Sequence, residues 1–128
     1  MARRVVAPPI TRERAQQAAA LLQHDAQHHP SMQRALGKAA ARLQNLPWCY
    51  RQDAGALIIP SASTPGRWYH VTLAGCECRA AREDRLCWHF AAWLILYLAD
   101  ARGRSAVARA AARASWKHSG GDPDQHVA

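Results

Sequence analysis

The first third of the chain spaces its apolar residues as a helix does. Thr11 is a suitable N-cap, and the stretch from Arg12 to about His28 holds no helix breaker. Pro30 is predicted to end this helix and Ser31 to begin a second. We therefore predict an antiparallel helical hairpin. Its first apolar stripe is weak and its second is clearer: Ala15, Ala18, Ala19, Leu22 and Ala26, then Met32, Ala35, Leu36, Ala39, Leu43 and Leu46.

After Pro47 the pattern changes to short segments separated by turns. Residues 48–51 and 56–60 are strand-like, and residues 68–73 are rich in aromatic and β-branched side chains, which favour strands. The segment 64–67 has proline and glycine at the two central positions of a type II turn. These features predict a small antiparallel sheet.

The segment that follows Cys87 is apolar on every side as far as Leu98. It predicts a central core helix that ends before Gly103, a suitable residue just past a helix end. A further helix, mostly alanine and arginine, is predicted from Ser105 to about Lys117, and a disordered tail from residue 119 onward. The predicted fold class is α+β, with a helical hairpin and a C-terminal helix beside the sheet.

Composition makes the core of this fold look thin. Alanine supplies 28 residues of the 128, whereas Leu, Ile, Val and Phe together supply 21, and the net charge is +8. Such values border on those of disordered chains, because alanine buries little surface. The sequence therefore excludes a large α/β enzyme and allows one domain. Some stabilising interaction beyond apolar burial is expected.

Charge and hydropathy indicate where the protein is located and which class of molecule it binds. The N-terminal apolar run is broken by two prolines before it reaches signal-peptide length, and the longest apolar run, 90–99, is about half of what a bilayer requires. We expect an intracellular, reducing (cytoplasmic) location and no membrane partner. Residues 1–46 carry seven basic and two acidic side chains, and residues 102–128 carry five and two. Basic flanks suit nucleic acid, although a solvated arginine-rich surface is an equal alternative.

The most specific feature is a C-x-C-x8-C-x-H pattern between residues 76 and 89. Cys76 and Cys78 are two residues apart in an extended segment, so their side chains point to the same face. The side chains of Cys87 and His89 converge only where a helix begins. Three thiolates and an imidazole are a tetrahedral zinc set. Two disulfides are disfavoured in a reducing compartment, and redox chemistry lacks its C-x-x-C motif. We predict one structural zinc ion, closed to catalytic water, and hence no enzyme.

This pattern, set between an aromatic strand and an apolar helix, resembles the SWIM zinc-binding domain. The resemblance covers about residues 48–101, including Ile59-Pro60-Ser61 and the Pro-Gly turn after it. It implies zinc ligation by the same four residues and a hairpin–zinc–helix fold that contacts DNA or protein. Two positions depart from the family: Trp88 stands where a basic residue is common, and Arg79-Ala80 where Pro-Asp is frequent.

Other candidate residues have structural interpretations that we favour. His24 and His28, with Asp25 between them, have metal-site spacing but lack a third ligand. Cys49 is predicted to be a small buried strand residue. Trp88 is predicted to pack behind the zinc, with base stacking as the alternative. The other aromatics singled out are predicted to be core residues: Trp68, Trp93 and Tyr97.

Two functions fit these features. The first is a zinc module that binds nucleic acid, most simply DNA, as an accessory protein in DNA transactions. The second is an adaptor for a larger protein, with zinc purely structural. No small-molecule substrate is expected. The residues predicted to contact phosphate are basic and surround the motif or follow one stripe of the last helix: Arg67, Arg79, Arg82, Arg85, Arg109, Arg113 and Lys117.

The division of the chain follows from the same features. We predict a basic helical region over residues 1–46, the zinc-binding domain over 47–102, and a basic helix with its tail over 103–128. The three parts are expected to pack as one compact unit.

Overall fold

The computed structural model describes residues 10–78, 87–100, 109–110 and 112–114. It confirms the α+β class. The described elements, in chain order, are α1 (Arg12–Asp25), α2 (Pro30–Asn45), β1 (Cys49–Arg51), β2 (Ala56–Pro60), β3 (Trp68–Val71) and α3 (Trp88–Ala99). Residues 109–110 and 112–114 are also helical. The remainder of the predicted last helix, Gly103 and the tail lie outside the described residues.

The predicted helical hairpin is present, with corrected ends. Thr11 caps α1, since its hydroxyl accepts a hydrogen bond from the amide of Arg14 at 3.0 Å. Helix α1 ends at Asp25, before the predicted His28. Pro30 does not end a helix but begins α2, because the first helical position needs no amide donor. The preceding His29 caps α2 through its side chain.

Both predicted apolar stripes face the core. Every stripe residue of α1 is buried, and so is every stripe residue of α2 except Leu46, which is half-buried. The two helices pack on each other and on α3. Small alanines on α1 allow the three helices to approach closely, and the larger leucine and methionine side chains of α2 fill the space between them. Ala112 is buried in the same core.

The three strands form an antiparallel sheet in the order β1-β2-β3. Its inner face supplies Leu57, Ile59 and Val71 to the helical core. Strands β2 and β3 are joined through the predicted type II turn, in which Gly66 has φ +80° and the amide of Arg67 donates to the carbonyl of Thr64 at 3.2 Å. Strand β3 stops at Val71, two residues earlier than predicted.

Helix α3 is the central element, as its uniform apolarity predicted. Nine of its 12 residues are buried. The indole N–H of Trp93 donates to the carbonyl of Gly55 at 2.8 Å, which ties the helix to the β1–β2 turn. Tyr97 stacks on the same indole and is half-buried, and Asp100 follows as the C-cap. None of the described helices is both long and apolar enough to span a bilayer.

Two predicted core residues lie on the surface. Trp68 is 52% exposed and Cys49 is also exposed, because the register places both on the outer face of the sheet. Cys49 pairs with Ile58, and Trp68 pairs with Pro60. Each belongs to an edge strand, where the outer face receives no cover from α3. The predictions of a buried Cys49 and a core Trp68 were therefore wrong.

Candidate metal centre

A tight turn after β3 positions the first two ligands. The amide and carbonyl of Thr72 pair with those of Gly75, and Gly75 adopts φ +121°, a conformation that side chains disfavour. This turn reverses the chain just before Cys76 and directs it toward α3. Cys76 is half-buried there and Cys78 is buried.

The start of α3 positions the other two ligands. Cys87 is the N-cap of the helix, with extended backbone at φ −108° and ψ 148°, and its sulfur accepts a hydrogen bond from the amide of Phe90 at 3.3 Å. His89 lies in the first turn. Both side chains are buried. The two residues converge because the backbone changes direction at the cap, as the sequence predicted.

The four ligand atoms form one cluster and all lie within 4.8 Å of one another. A tetrahedral zinc ion with Zn–S bonds of about 2.3 Å separates its ligand atoms by roughly 3.8 Å, so an adjustment of up to about 1 Å closes the site. Among the described residues this is the one group of three or more such side chains close enough to hold a metal. It consists of the predicted set: Cys76, Cys78, Cys87 and His89.

The surroundings of His89 fit a metal ligand. Both ring nitrogens are buried and neither has a hydrogen-bond partner in the described part of the chain. Leaving both nitrogens unpaired is costly in a folded protein, and a metal bond satisfies one of them. The ring is held between aromatic neighbours, with centroid distances of 4.6 Å to Tyr69 and 4.1 Å to Trp88.

Two residues that the sequence did not single out also contribute to the surroundings of the centre. Tyr69 is on the inner face of β3 and contacts His89, and Arg42 of α2 places its guanidinium 5.5 Å from the centroid of the Trp88 ring. Trp88 is half-buried and packs on His89, which agrees with the packing interpretation. Strand alternation would have indicated Tyr69, whereas nothing in the sequence connects Arg42 with Trp88.

The protein groups around Cys87 by themselves disfavour its thiolate. A hydrogen bond shared with the Cys76 thiol and burial together raise the pKa of Cys87 to about 12, although the Phe90 amide and His89 act in the opposite direction. The helix start alone is thus insufficient to ionise this cysteine. A divalent cation supplies the missing positive charge, so its binding releases protons and weakens as the pH falls.

The predicted phosphate-contacting residues have different surroundings. Arg67 is exposed in the β2–β3 turn, and Arg113 is exposed on the helical residues 112–114. Arg109 is bound by Asp25 through two hydrogen bonds of 2.5 Å, so its guanidinium already has an anionic partner. The other four lie outside the described residues: Arg79, Arg82, Arg85 and Lys117.

The Arg109–Asp25 pair also bears on the second metal site that was considered. His24 and His28 are exposed, and the carboxylate between them in the sequence is engaged by Arg109. The side chain of Asp25 is only 10% exposed. Asp25 therefore fastens the helical residues around Arg109 to the end of α1, and it does not join the two histidines in a metal cluster.

Replacing Asp25 with asparagine is expected to weaken the attachment of the helical residues around Arg109 to α1. It should also make the melting temperature depend less on pH in the acidic range. The hydrogen bonds from Arg109 hold the pKa of Asp25 below its ordinary value of 3.8, and the charges of Arg109, Arg113 and His24 assist. A lowered pKa stabilises the fold above pH 3.8, and this contribution is lost as the pH falls through the lowered value. Thermal melts between about pH 2.5 and pH 7 measure it.

The matched control for this prediction is Asp53→Asn. Asp53 pairs with Arg51 at 3.5 Å, but both side chains are more than half exposed, so the pair contributes little. Asp25→Asn should reduce the melting temperature more than the control at pH 7, and this difference should shrink as the pH is lowered toward 2.5. Equal effects of the two variants at both pH values would show that the Asp25 pair does not hold the last helix.

Comparison of the chain with protein-family models, with curated proteins and with solved structures finds no match. These comparisons do not confirm the resemblance to the SWIM domain. The structure contains a Cys3His cluster that could hold a metal ion, within an α+β fold.

Proposed function

We propose that the cluster binds one zinc ion and that the protein is a SWIM-type zinc module. Three sulfurs and one imidazole favour zinc over magnesium or calcium, which prefer oxygen ligands. With four protein ligands the tetrahedral ion has no open position for water or substrate, so the metal stabilises the fold and performs no catalysis. The observation that supports this most strongly is the convergence of all four side chains at one point.

The partner that we propose is nucleic acid, with DNA as the simplest case. The net charge of +8 favours a polyanion, and two of the predicted phosphate-contacting residues, Arg67 and Arg113, are exposed. A zinc-stabilised surface that presents arginines would bind the phosphate backbone without strong sequence preference. In this role the protein would act as an accessory factor and not as an enzyme.

Binding measured across a salt series tests this proposal. We expect the zinc-loaded protein to bind both duplex and single-stranded oligonucleotides at about 50 mM salt and to weaken steeply toward 300 mM, because each neutralised phosphate releases a counterion. Electrophoretic mobility shift and fluorescence polarisation both report it. No binding at the low salt concentration would refute the nucleic-acid role and favour an adaptor that contacts only protein.

A further inference from the structure

The outer face of the sheet presents a large aromatic side chain to solvent. Trp68 is 52% exposed, although tryptophan is among the side chains that gain most from burial. It lies at the first position of β3, directly opposite Pro60 of β2. Because the two residues are cross-strand partners, their side chains lie on the same outer face, where about half of the Trp68 surface is open to solvent.

The surroundings of Trp68 are basic or neutral. His70, two residues further along β3, is exposed on the same face, and Arg67 is exposed immediately before the strand. On β1 the same face carries Arg51. The three described strands contain no acidic residue, and the carboxylate of Asp53 in the β1–β2 turn pairs with Arg51. A neighbouring anion therefore meets net positive charge on this face.

We infer that this outer face, centred on Trp68, is a stacking platform for a base of single-stranded nucleic acid. The inference rests on the proposed function and specifies the surface and the strandedness of the ligand. An indole stacks on any base, and a nearby guanidinium binds the phosphate that follows. Arg67, next to Trp68 in sequence and exposed at the end of the hairpin, is the residue placed to make that phosphate contact.

A single strand fits this face better than a duplex does. In a duplex each base already stacks on its neighbours, so an aromatic ring on a sheet gains no base face unless the duplex opens. The sheet has only three short strands, which suits contact with a few nucleotides. A protein partner would need a larger apolar surface than one tryptophan flanked by basic and half-buried residues.

The platform is structurally separate from the metal centre. Trp68 and Tyr69 point to opposite faces of β3, and Tyr69 is the residue that contacts His89. A substitution at Trp68 therefore leaves the zinc ligands and the helical core in place. This separation allows the platform to be tested on the full-length, zinc-loaded protein.

The test measures the binding of a fluorescein-labelled oligothymidylate of about 20 nucleotides and of a duplex of equal length. Trp68→Ala should weaken binding of the single strand by roughly 10- to 100-fold, the range expected for the loss of one stacked base, and Trp68→Phe should retain most of it. Leu73→Ala is the matched control, because Leu73 is also a large exposed side chain but lies beyond β3. It should bind as the unmodified protein does.

A second measurement requires no substitution. Oligonucleotides that contain 5-iodouracil cross-link on irradiation to an aromatic ring stacked on the base, and trypsin cleavage after Arg67 and Arg79 yields one peptide that contains Trp68. We expect the cross-link in that peptide, at Trp68. Cross-links confined to other peptides, or a Trp68→Ala variant that binds single strands within twofold of the unmodified protein, would refute the platform while the proposed function stands. Failure of the unmodified protein to bind any nucleic acid would refute both.

Discussion

Replacing Cys87 with serine is expected to unfold the region around residues 67–101 and to abolish zinc binding. The physical reason is that structural zinc contributes its binding free energy to folding, on the order of 10 kcal/mol in small metal-dependent domains. Serine is itself a good N-cap, so the variant keeps the cap of α3 and removes only the sulfur ligand. Circular dichroism and thermal melting measure the loss of structure, and metal analysis measures the loss of zinc.

Cys49→Ser is the control for this experiment. Cys49 is exposed on β1 and does not belong to the ligand cluster, so its substitution should leave the melting temperature and the zinc content unchanged. Native-like circular dichroism with an unaltered melting temperature in Cys87→Ser would contradict a structural metal. A loss of structure in both variants would indicate that cysteine chemistry other than metal ligation stabilises the fold.

Replacing Trp93 with alanine is expected to destabilise the protein by about 3–5 kcal/mol, the usual cost of truncating a buried aromatic side chain. Trp93 is fully buried between Phe90 and Tyr97, and its indole N–H holds the carbonyl of Gly55. Its removal leaves a cavity in the core beside α3 and an unpaired carbonyl in the β1–β2 turn. Urea denaturation of the zinc-loaded protein gives the free energy of unfolding.

Trp68→Ala is a matched control for the same chemical change at the surface. Trp68 makes no contribution to the buried core, so its loss should alter the free energy of unfolding by no more than about 0.5 kcal/mol. Equal losses of stability in the two variants would contradict the assignment of Trp93 to the core and of Trp68 to the outer face.

The parts of the fold that the sequence predicted are those encoded by local pattern. Helical spacing identified the buried stripes of α1 and α2, and the Pro-Gly pair identified the type II turn, because both depend on neighbouring residues alone. The metal cluster was predictable for a related reason. Its four residues occupy two short segments, and the helix start at Cys87 brings Cys87 and His89 together, whereas a continuous helix would point them apart.

The errors concern which face of the sheet is covered. Alternation divides β3 into two faces, but Trp68 is as apolar as Tyr69, so apolarity alone did not decide which one points inward. The polar neighbours carried the signal: Trp68 shares its face with His70, and Cys49 shares its face with Arg51. The prediction gave more weight to the general tendency of large side chains to be buried than to these two polar neighbours.

Contacts between residues far apart in the chain could not be predicted from the sequence. Asp25 and Arg109 are 84 residues apart, and their pairing depends on where the fold places the residues around Arg109 relative to the end of α1. The same holds for Arg42, which reaches the metal centre only because α2 packs on α3. Such pairs follow from the tertiary arrangement and leave no spacing or motif in the chain.

The scarcity of large aliphatic residues now has a physical explanation. Alanine on α1 and α2 permits close helix packing, and the larger side chains concentrate in α2, the inner face of the sheet and α3. Between β3 and α3 the cluster of sulfurs and imidazole takes the place that apolar residues would occupy in an ordinary core. In the proposed function, zinc supplies the stabilisation that a thin core lacks.

X-ray absorption at the zinc edge, with metal analysis of the freshly purified protein, tests the metal centre most directly. We expect one zinc ion per chain, bound by three sulfurs at about 2.3 Å and one nitrogen at about 2.0–2.1 Å. Substantially less than one zinc per chain, or a coordination shell dominated by oxygen, would contradict the structural zinc site at Cys76, Cys78, Cys87 and His89.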